Sequence, residues 1–501
     1  MEKMSFEFPF ISVSIAIPIV FSFLILLFKE KFAKYIALLG TGLTFLVSVI
    51  ALTWFDFSKT DVVQFYEEYT ILKELGVKLS LGADGLSLLM YILTTLVSLV
   101  AVIWSIGDEK IKTRLKEYYI AFLLTESFVI GVFTTFDLIV FYVFYELTLL
   151  PMLFVIGIWG YKLRLYSAYK FFVYIFISSL FLLLGIASLS VFHFKEKGNF
   201  TFNYFELLNL NIPNGFEIFL FLLFFIAFAV KTPIVPFHTW LPDAHGEAPT
   251  AGSVVLAAIL LKMGTYALVR FNIGLFPEAA TTLAPYLVAL GIYSIIMASW
   301  MTISQTNIKR FVAYSSVSHM GFVVTAMFLL TMEGLRASVI EMFAHGLTSA
   351  GLFMVAGFVY NRLHTFNFSS LRGAIKFMPL FATITAAIAF AAMGLPGGSS
   401  FWGKFLTVVA AREYSTALAL VVIVAAFFSG AYVLYFMKTL YLDVREEGIL
   451  MHFRDVNGYA LMAFLMIVIP VILVGFVPFI FFAFYEGVIE HLLKYILKLP
   501  F

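Results

Sequence analysis

Fourteen stretches of this 501-residue sequence run for about twenty residues with few charges and mostly apolar side chains. Roughly 20 such residues, wound as a helix, cross the ~30 Å hydrocarbon layer of a bilayer. A helix also satisfies its own backbone groups there, where water cannot. The stretches are 11–28, 34–54, 84–106, 118–136, 137–159, 167–193, 216–237, 250–272, 281–303, 310–331, 335–360, 376–411, 415–441 and 457–488. Charged residues make up 12% of the chain, whereas a soluble domain carries roughly 25%. The expected fold is therefore an all-α polytopic membrane protein with about 14 transmembrane helices.

Punctuation within the runs adds organisation. Thr134, Thr135 and Asp137 form a tight polar turn between the fourth and fifth. The seventh is interrupted by Pro233 and Pro236 just after Lys231, and the twelfth by GLPGGSS at 394–400. Glycine there permits conformations closed to other residues and Pro396 removes a donor, so a hydrated bend within one crossing is expected. The opening MEKMSFEFPF lacks the basic start and cleavage site of a signal peptide and is read as leading into the first span. Placing that end outside puts seventeen of the 32 Lys and Arg on inner connections, Lys309, Arg372 and Arg445 among them, against eleven on the outer side, Arg270 at the end of its span among them. Inner loops are the basic ones, so both termini are expected on the outer face. Residues 118–272 and 281–441 share a layout of five helices with a proline break. The offset of five helices turns the second copy upside down. The chain thus divides into 1–117 (helices 1–3), 118–272 (first five-helix repeat), 281–441 (second, inverted) and 442–501 (helix 14 and tail). Inverted repeats with broken helices mark secondary transporters.

Several chemistries are disfavoured. The 32 basic and 30 acidic residues nearly balance, so no broad positive field points to nucleic acid. The sequence contains no cysteine, which removes thiolate-ligated clusters, cysteine zinc sites and cysteine nucleophiles. No GxGxxG, GxxxxGK[ST] or HExxH pattern occurs in a fitting context. No redox cofactor, nucleotide or metal is expected on this chain. The 60 phenylalanines read as lipid-facing and interhelical filler rather than a cofactor box.

The functional information lies in ionisable residues at membrane depth. Each costs roughly 2.5–3.5 kcal/mol on insertion scales, so such groups face the bundle interior and handle ions or protons. At 1.5 Å per residue, Glu126, Glu146, Lys231, Lys262, His319 and His345 lie about 12 to 22 Å into helices 4, 5, 7, 8, 10 and 11. Lys404 follows the break in helix 12. Together they can form a polar axis across the bundle, with Lys switching charge state and His relaying protons. A single buried lysine can also merely lock two helices together. Glu126 can equally pair with a basic neighbour, His238 can cap near the interface, and His319 and His345 can be buried hydrogen-bonding residues.

The letters around these residues resemble a known family. KTPIVPFHTWLPDAHGEAPTAGSVVLAAILLKMGTYALVRF (231–271) is similar to the signature of the antiporter-like subunits of respiratory complex I. Its APTAGS…LLKMGTY portion is closest to the M-type, the counterpart of mitochondrial subunit 4. FDLIVFYVFYELTLLPMLFVIGIWG (136–160), NIKRFVAYSSVSHMGFV (307–323), GADGLSLLM (82–90) and GLPGGSSFWGKF (394–405) fit the same family. The resemblance implies two inverted five-helix repeats, broken helices 7 and 12, and a proton half-channel in each repeat. It assigns Glu146 as the helix-5 carboxylate, Lys231 as its partner, Lys262 as the connecting lysine, and His319 and His345 as central polar residues. Lys404 stands where the M-type usually has glutamate, and resembles the sister subunits in this.

The function this implies is proton translocation in the membrane arm of a bacterial NADH–quinone oxidoreductase. Flavin, iron–sulfur and quinone chemistry would then belong to partner subunits. Other membrane subunits, the sister antiporter-like ones above all, and inner-membrane lipid are the expected partners. The alternatives are a subunit of a Mrp-type cation/proton antiporter or of an ion-pumping membrane hydrogenase, and a scaffold that pumps nothing.

Overall fold

The computed structural model describes residues 2–108, 110–368, 374–441 and 454–498; Arg372 and Arg445, counted above on inner loops, lie outside the described residues. Among the described residues, 13 helices are long and apolar enough to cross a membrane. These are helix 1 (Phe10–Leu27), 2 (Ala33–Trp54), 3 (Gly85–Ile106), 4 (Leu115–Thr134), 5 (Leu138–Trp159), 6 (Arg164–Lys197) and 7 (Asn214–Lys231). They continue with helix 8 (Thr250–Ile273), 9 (Pro277–Ile303), 10 (Ile308–Phe328), 11 (Met332–Leu363), 13 (Thr416–Tyr441) and the first part of 14 (Gly458–Phe476). Helix 12 is in two pieces, Pro379–Met393 and Ser399–Tyr414.

Helix starts follow local chemistry. Asp84, Asp137, Asn307 and Thr331 each place a side-chain oxygen on the free N–H groups of helices 3, 5, 10 and 11, satisfying donors that have no partner within the helix. Helix 8 is buried along its whole length, which is why its sequence is apolar on every face rather than striped. It carries two π-helical stretches, Leu256–Leu260 and Leu268–Ile273, which the apolar run did not reveal. Helices 1, 2, 6 and 13 instead leave large apolar residues such as Phe23, Leu39, Tyr169 and Phe427 exposed outward, as a lipid-facing ring requires.

Helix 7 ends at Lys231 rather than continuing to 237. Pro233 and Pro236 have no N–H to extend the ladder, and the chain turns before a short helix at Leu241–Glu247. The helix 12 break uses Gly394 and Gly397 at φ +86° and +87°, a region that glycine enters at little expense. The expected single span 457–488 is corrected to two helices, Gly458–Phe476 and Pro478–Ile496, parted at Val477. Gly475 lies so close to the Gly397 carbonyl that a Cβ there would collide with it, and Trp402 Nε1 donates to Gly475 O at 2.9 Å. The breaks in helices 12 and 14 therefore seat on each other.

An element absent from the sequence reading is an antiparallel hairpin, Gln64–Leu72 with Val77–Ala83. It stitches several helix ends together on one side. Glu67 Oε1 accepts from Ile11 N and Ser12 N at the start of helix 1. Ser80 O accepts from Phe136 N, and Asp137 Oδ2 from Lys78 N, between helices 4 and 5. Just before the first strand, Val63 pairs with Glu2 and Met4, and Thr60 Oγ1 accepts from Gly487 N.

Candidate functional site

The centre of the site is where helix 8 crosses helices 10 and 11. Lys262 is fully buried, and its Nζ lies 2.7 Å from Ala257 O and 2.6 Å from His345 Nδ1. Ala257 sits in the first π stretch of the same helix, and a lysine five residues on reaches back to its carbonyl. The rings of His345 and His319 lie 5.0 Å apart between centroids. His319 Nδ1 in turn meets Glu341 Oε1 at 2.6 Å. Lys262, His345 and His319, three of the expected residues, thus form one run of contacts across the bundle, and Glu341 extends it.

Lys404 stands beyond, in the second half of helix 12. Its Nζ donates to Ala392 O (3.0 Å), Met393 O (2.8 Å) and Ser429 Oγ (2.9 Å), and lies over the Phe322 ring at 5.4 Å. The break in helix 12 makes this possible, because it turns the last carbonyls of Pro379–Met393 toward the lysine.

The other end of the expected axis is looser. Lys231 is buried at the broken end of helix 7, and its Nζ lies over the Tyr145 ring at 4.9 Å without a hydrogen-bond partner. Glu146, the next residue along helix 5, is half-buried. Direct contact between Glu146 and Lys231 was the expectation, and no ion pair joins them among the described residues. They act on each other through space. The physical reason is that Tyr145, not Glu146, points its side chain at Lys231, because successive helical residues lie on different faces. Glu126 is buried on helix 4 with both carboxylate oxygens unpartnered and takes no part in the contact run. His238 lies in the turn after helix 7, its ring 6.2 Å from that of Tyr314.

Two basic residues counted as loop charges are buried. Arg270 pairs with Asp84 at 2.5 Å, tying the end of helix 8 to the start of helix 3. Lys309 donates to Ala248 O and lies against the rings of Tyr161 and Phe366. The electrostatic influence of Lys309 reaches His245, a buried imidazole stacked on Phe353 at 4.6 Å. Glu341 and His245 were missed by the sequence reading, and Lys309 was read only as a loop charge. For Glu341 a signal existed: it precedes His345 by four residues and so shares its helix face.

The chain is similar to known membrane proteins along nearly its whole length. Residues 135–429 match the family described as NADH:quinone oxidoreductase/Mrp antiporter, TM. The NADH-quinone oxidoreductase subunit M of Rickettsia conorii is 37% identical over 97% of this chain and 99% of its own length. A chain of respiratory complex I from Thermus thermophilus with bound NADH superposes with TM-score 0.87 at 28% identity, covering 97% of this chain and 99% of that one. A chain of the Mrp complex from Dietzia sp. DQ12-45-1b has the same fold, with TM-score 0.85 at 19% identity, covering 97% of this chain and 99% of that one.

Proposed function

This chain belongs to the NADH:quinone oxidoreductase/Mrp antiporter family of membrane proteins, and from that membership we infer that it is a proton-translocating membrane subunit, of the M type, of an NADH-quinone oxidoreductase. It works inside an assembly with other membrane subunits. In our reading the sister antiporter-like subunits are its neighbours, and flavin, iron–sulfur and quinone chemistry is carried by other chains. Both termini and the hairpin face outward, and residues 118–272 and 281–441 act as the two inverted halves.

The observation that supports the mechanism is the contact run Lys262–His345–His319 in the middle of the bundle. Glu146 and Lys231 sense each other's charge without touching. A proton arriving on one changes the field at the other, and no direct bond has to break. Lys262 then passes a proton across its 2.6 Å contact to His345 Nδ1, and the paired imidazoles carry it toward helix 12. Moving one charge through a membrane potential takes about 2.3 kcal/mol per 100 mV. One pKa unit is about 1.36 kcal/mol, so swings of ~3 units on these groups cover a potential near ~180 mV. A neighbouring buried charge that appears or disappears supplies shifts of that size.

The test is Glu146→Gln and Lys231→Ala in the whole complex, read as protons moved per NADH oxidised in sealed vesicles. Each is expected to abolish most pumping while the complex assembles. Normal pumping in an assembled Glu146→Gln complex removes that residue from the mechanism. Purification with flavin-bearing partners favours this function, and a cofactor-free complex exchanging sodium for protons favours the antiporter instead.

A further inference from the structure

Glu341 has no role in the mechanism so far, yet its placement is specific. It lies in helix 11 one turn before His345 and is 1% exposed. Oε1 is committed to His319 Nδ1, whereas Oε2 is buried with no hydrogen-bond partner. Facing Oε2 is Gly403 of helix 12, where a Cβ would collide with that oxygen and lie 2.7 Å from the Cβ of Glu341. Helix 12 thus leaves room for a carboxylate at this point and nowhere gives Oε2 a permanent donor. Its charge acts on Lys262 to one side and on Lys404 to the other.

Lys404 is held in the opposite way. An ammonium has three protons to donate, and here three acceptors take them: two main-chain carbonyls and Ser429 Oγ. Both carbonyls close the first half of helix 12, the negative end of its dipole. Losing a proton would leave two N–H groups for the two carbonyls and would require the Ser429 hydroxyl to turn from acceptor to donor. The two carbonyls and the negative helix end therefore favour the charged form of Lys404 over the neutral one.

Building on the function proposed above, we propose that Glu341, not Lys404, is the proton-carrying group at the helix 12 end of the axis. Protonated His319 gives its Nδ1 proton to Glu341 Oε1, which leaves a neutral imidazole and a carboxylic acid. The acid rotates to present the proton on the Gly403 side and loses it to a water toward the hairpin side of the membrane, restoring the carboxylate. Lys404 supplies the fixed positive charge that favours this release.

The alternative role for Glu341 is to orient the His319 ring, and a conservative pair of variants separates the two. Glu341→Gln keeps the shape and an oxygen that can accept from His319 Nδ1, but cannot carry a proton. Glu341→Asp keeps the acid. In sealed vesicles of the whole complex, Glu341→Gln is expected to slow NADH-driven pumping about tenfold or more, in the range of a lost acid–base group. Glu341→Asp is expected to recover at least part of that loss. Lys404→Arg, which keeps the charge and cannot deprotonate, is expected to pump several-fold faster than Glu341→Gln. Wild-type pumping in an assembled Glu341→Gln complex overturns the proposal, and so does a Lys404→Arg complex as slow as Glu341→Gln. Lys262→Met is run in parallel. Should it also pump normally, the axis itself is not the route, which is a different failure.

Discussion

The Lys262 ammonium is held by two partners at once, the Ala257 carbonyl of its own helix and His345 Nδ1. Lys262→Met removes the charge and both contacts, and should depress pumping and NADH oxidation together, measured in vesicles and after uncoupling. Lys262→Arg keeps the charge in a group that does not deprotonate, and should be nearly as damaging if the residue itself carries the proton. Full activity of the arginine variant would mean that fixed charge alone is required there. The residues of this run were legible in the sequence because a charge deep within an apolar stretch has few places to go. Depth along a helix could be counted, but direction around it could not. That is why Glu146 was expected on Lys231 and Tyr145 was found there. It is also why Glu341, so close to His345 in sequence, went unread.

At the scale of elements, the breaks were visible in proline and glycine, while what they pack against was not. Gly397 carries φ +87° and has the Phe476 ring 3.1 Å from where a Cβ would stand. Gly397→Val should therefore destabilise the chain by about 1–3 kcal/mol through backbone strain alone, seen as a lower thermal midpoint of the purified complex. The Asp84–Arg270 pair clamps helices 3 and 8 where sequence reading placed a loop charge. Removing one partner of a buried pair leaves the other charge stranded, so Asp84→Asn should weaken the fold by about 3–5 kcal/mol. Adding Arg270→Met should return part of that loss, because the two effects share one contact. The π stretches of helix 8 and the hairpin had no signal of comparable strength. A π turn changes hydrogen bonding without changing composition, and VKLSLGA is too short an alternation to stand out beside runs of twenty apolar residues.

Across the whole molecule, the direction of insertion is open to a direct experiment, because the chain has no cysteine of its own to react. Lys73→Cys at the hairpin tip and Lys112→Cys between helices 3 and 4 both present exposed positions. With an impermeant maleimide and intact cells, the first should label and the second should label only after permeabilisation. The reverse pattern would invert the orientation we propose. The many-helix membrane character of the chain could be read from the sequence, since length and hydrophobicity decide it, whereas the ordering of helices around helix 8 depends on side-chain fit that no single run encodes. The hairpin has a mechanical consequence as well. It ties the starts of helices 1 and 5 and the close of helix 4 into a single hydrogen-bonded plate, and its second strand runs straight on to the start of helix 3. A helix pinned at one end is a lever with its fulcrum there. On a ~30 Å helix a tilt of about 5° displaces the free end by about 2.6 Å and the pinned end hardly at all. Whatever strain a working neighbour delivers to this bundle will therefore be read out as motion at the face away from the hairpin.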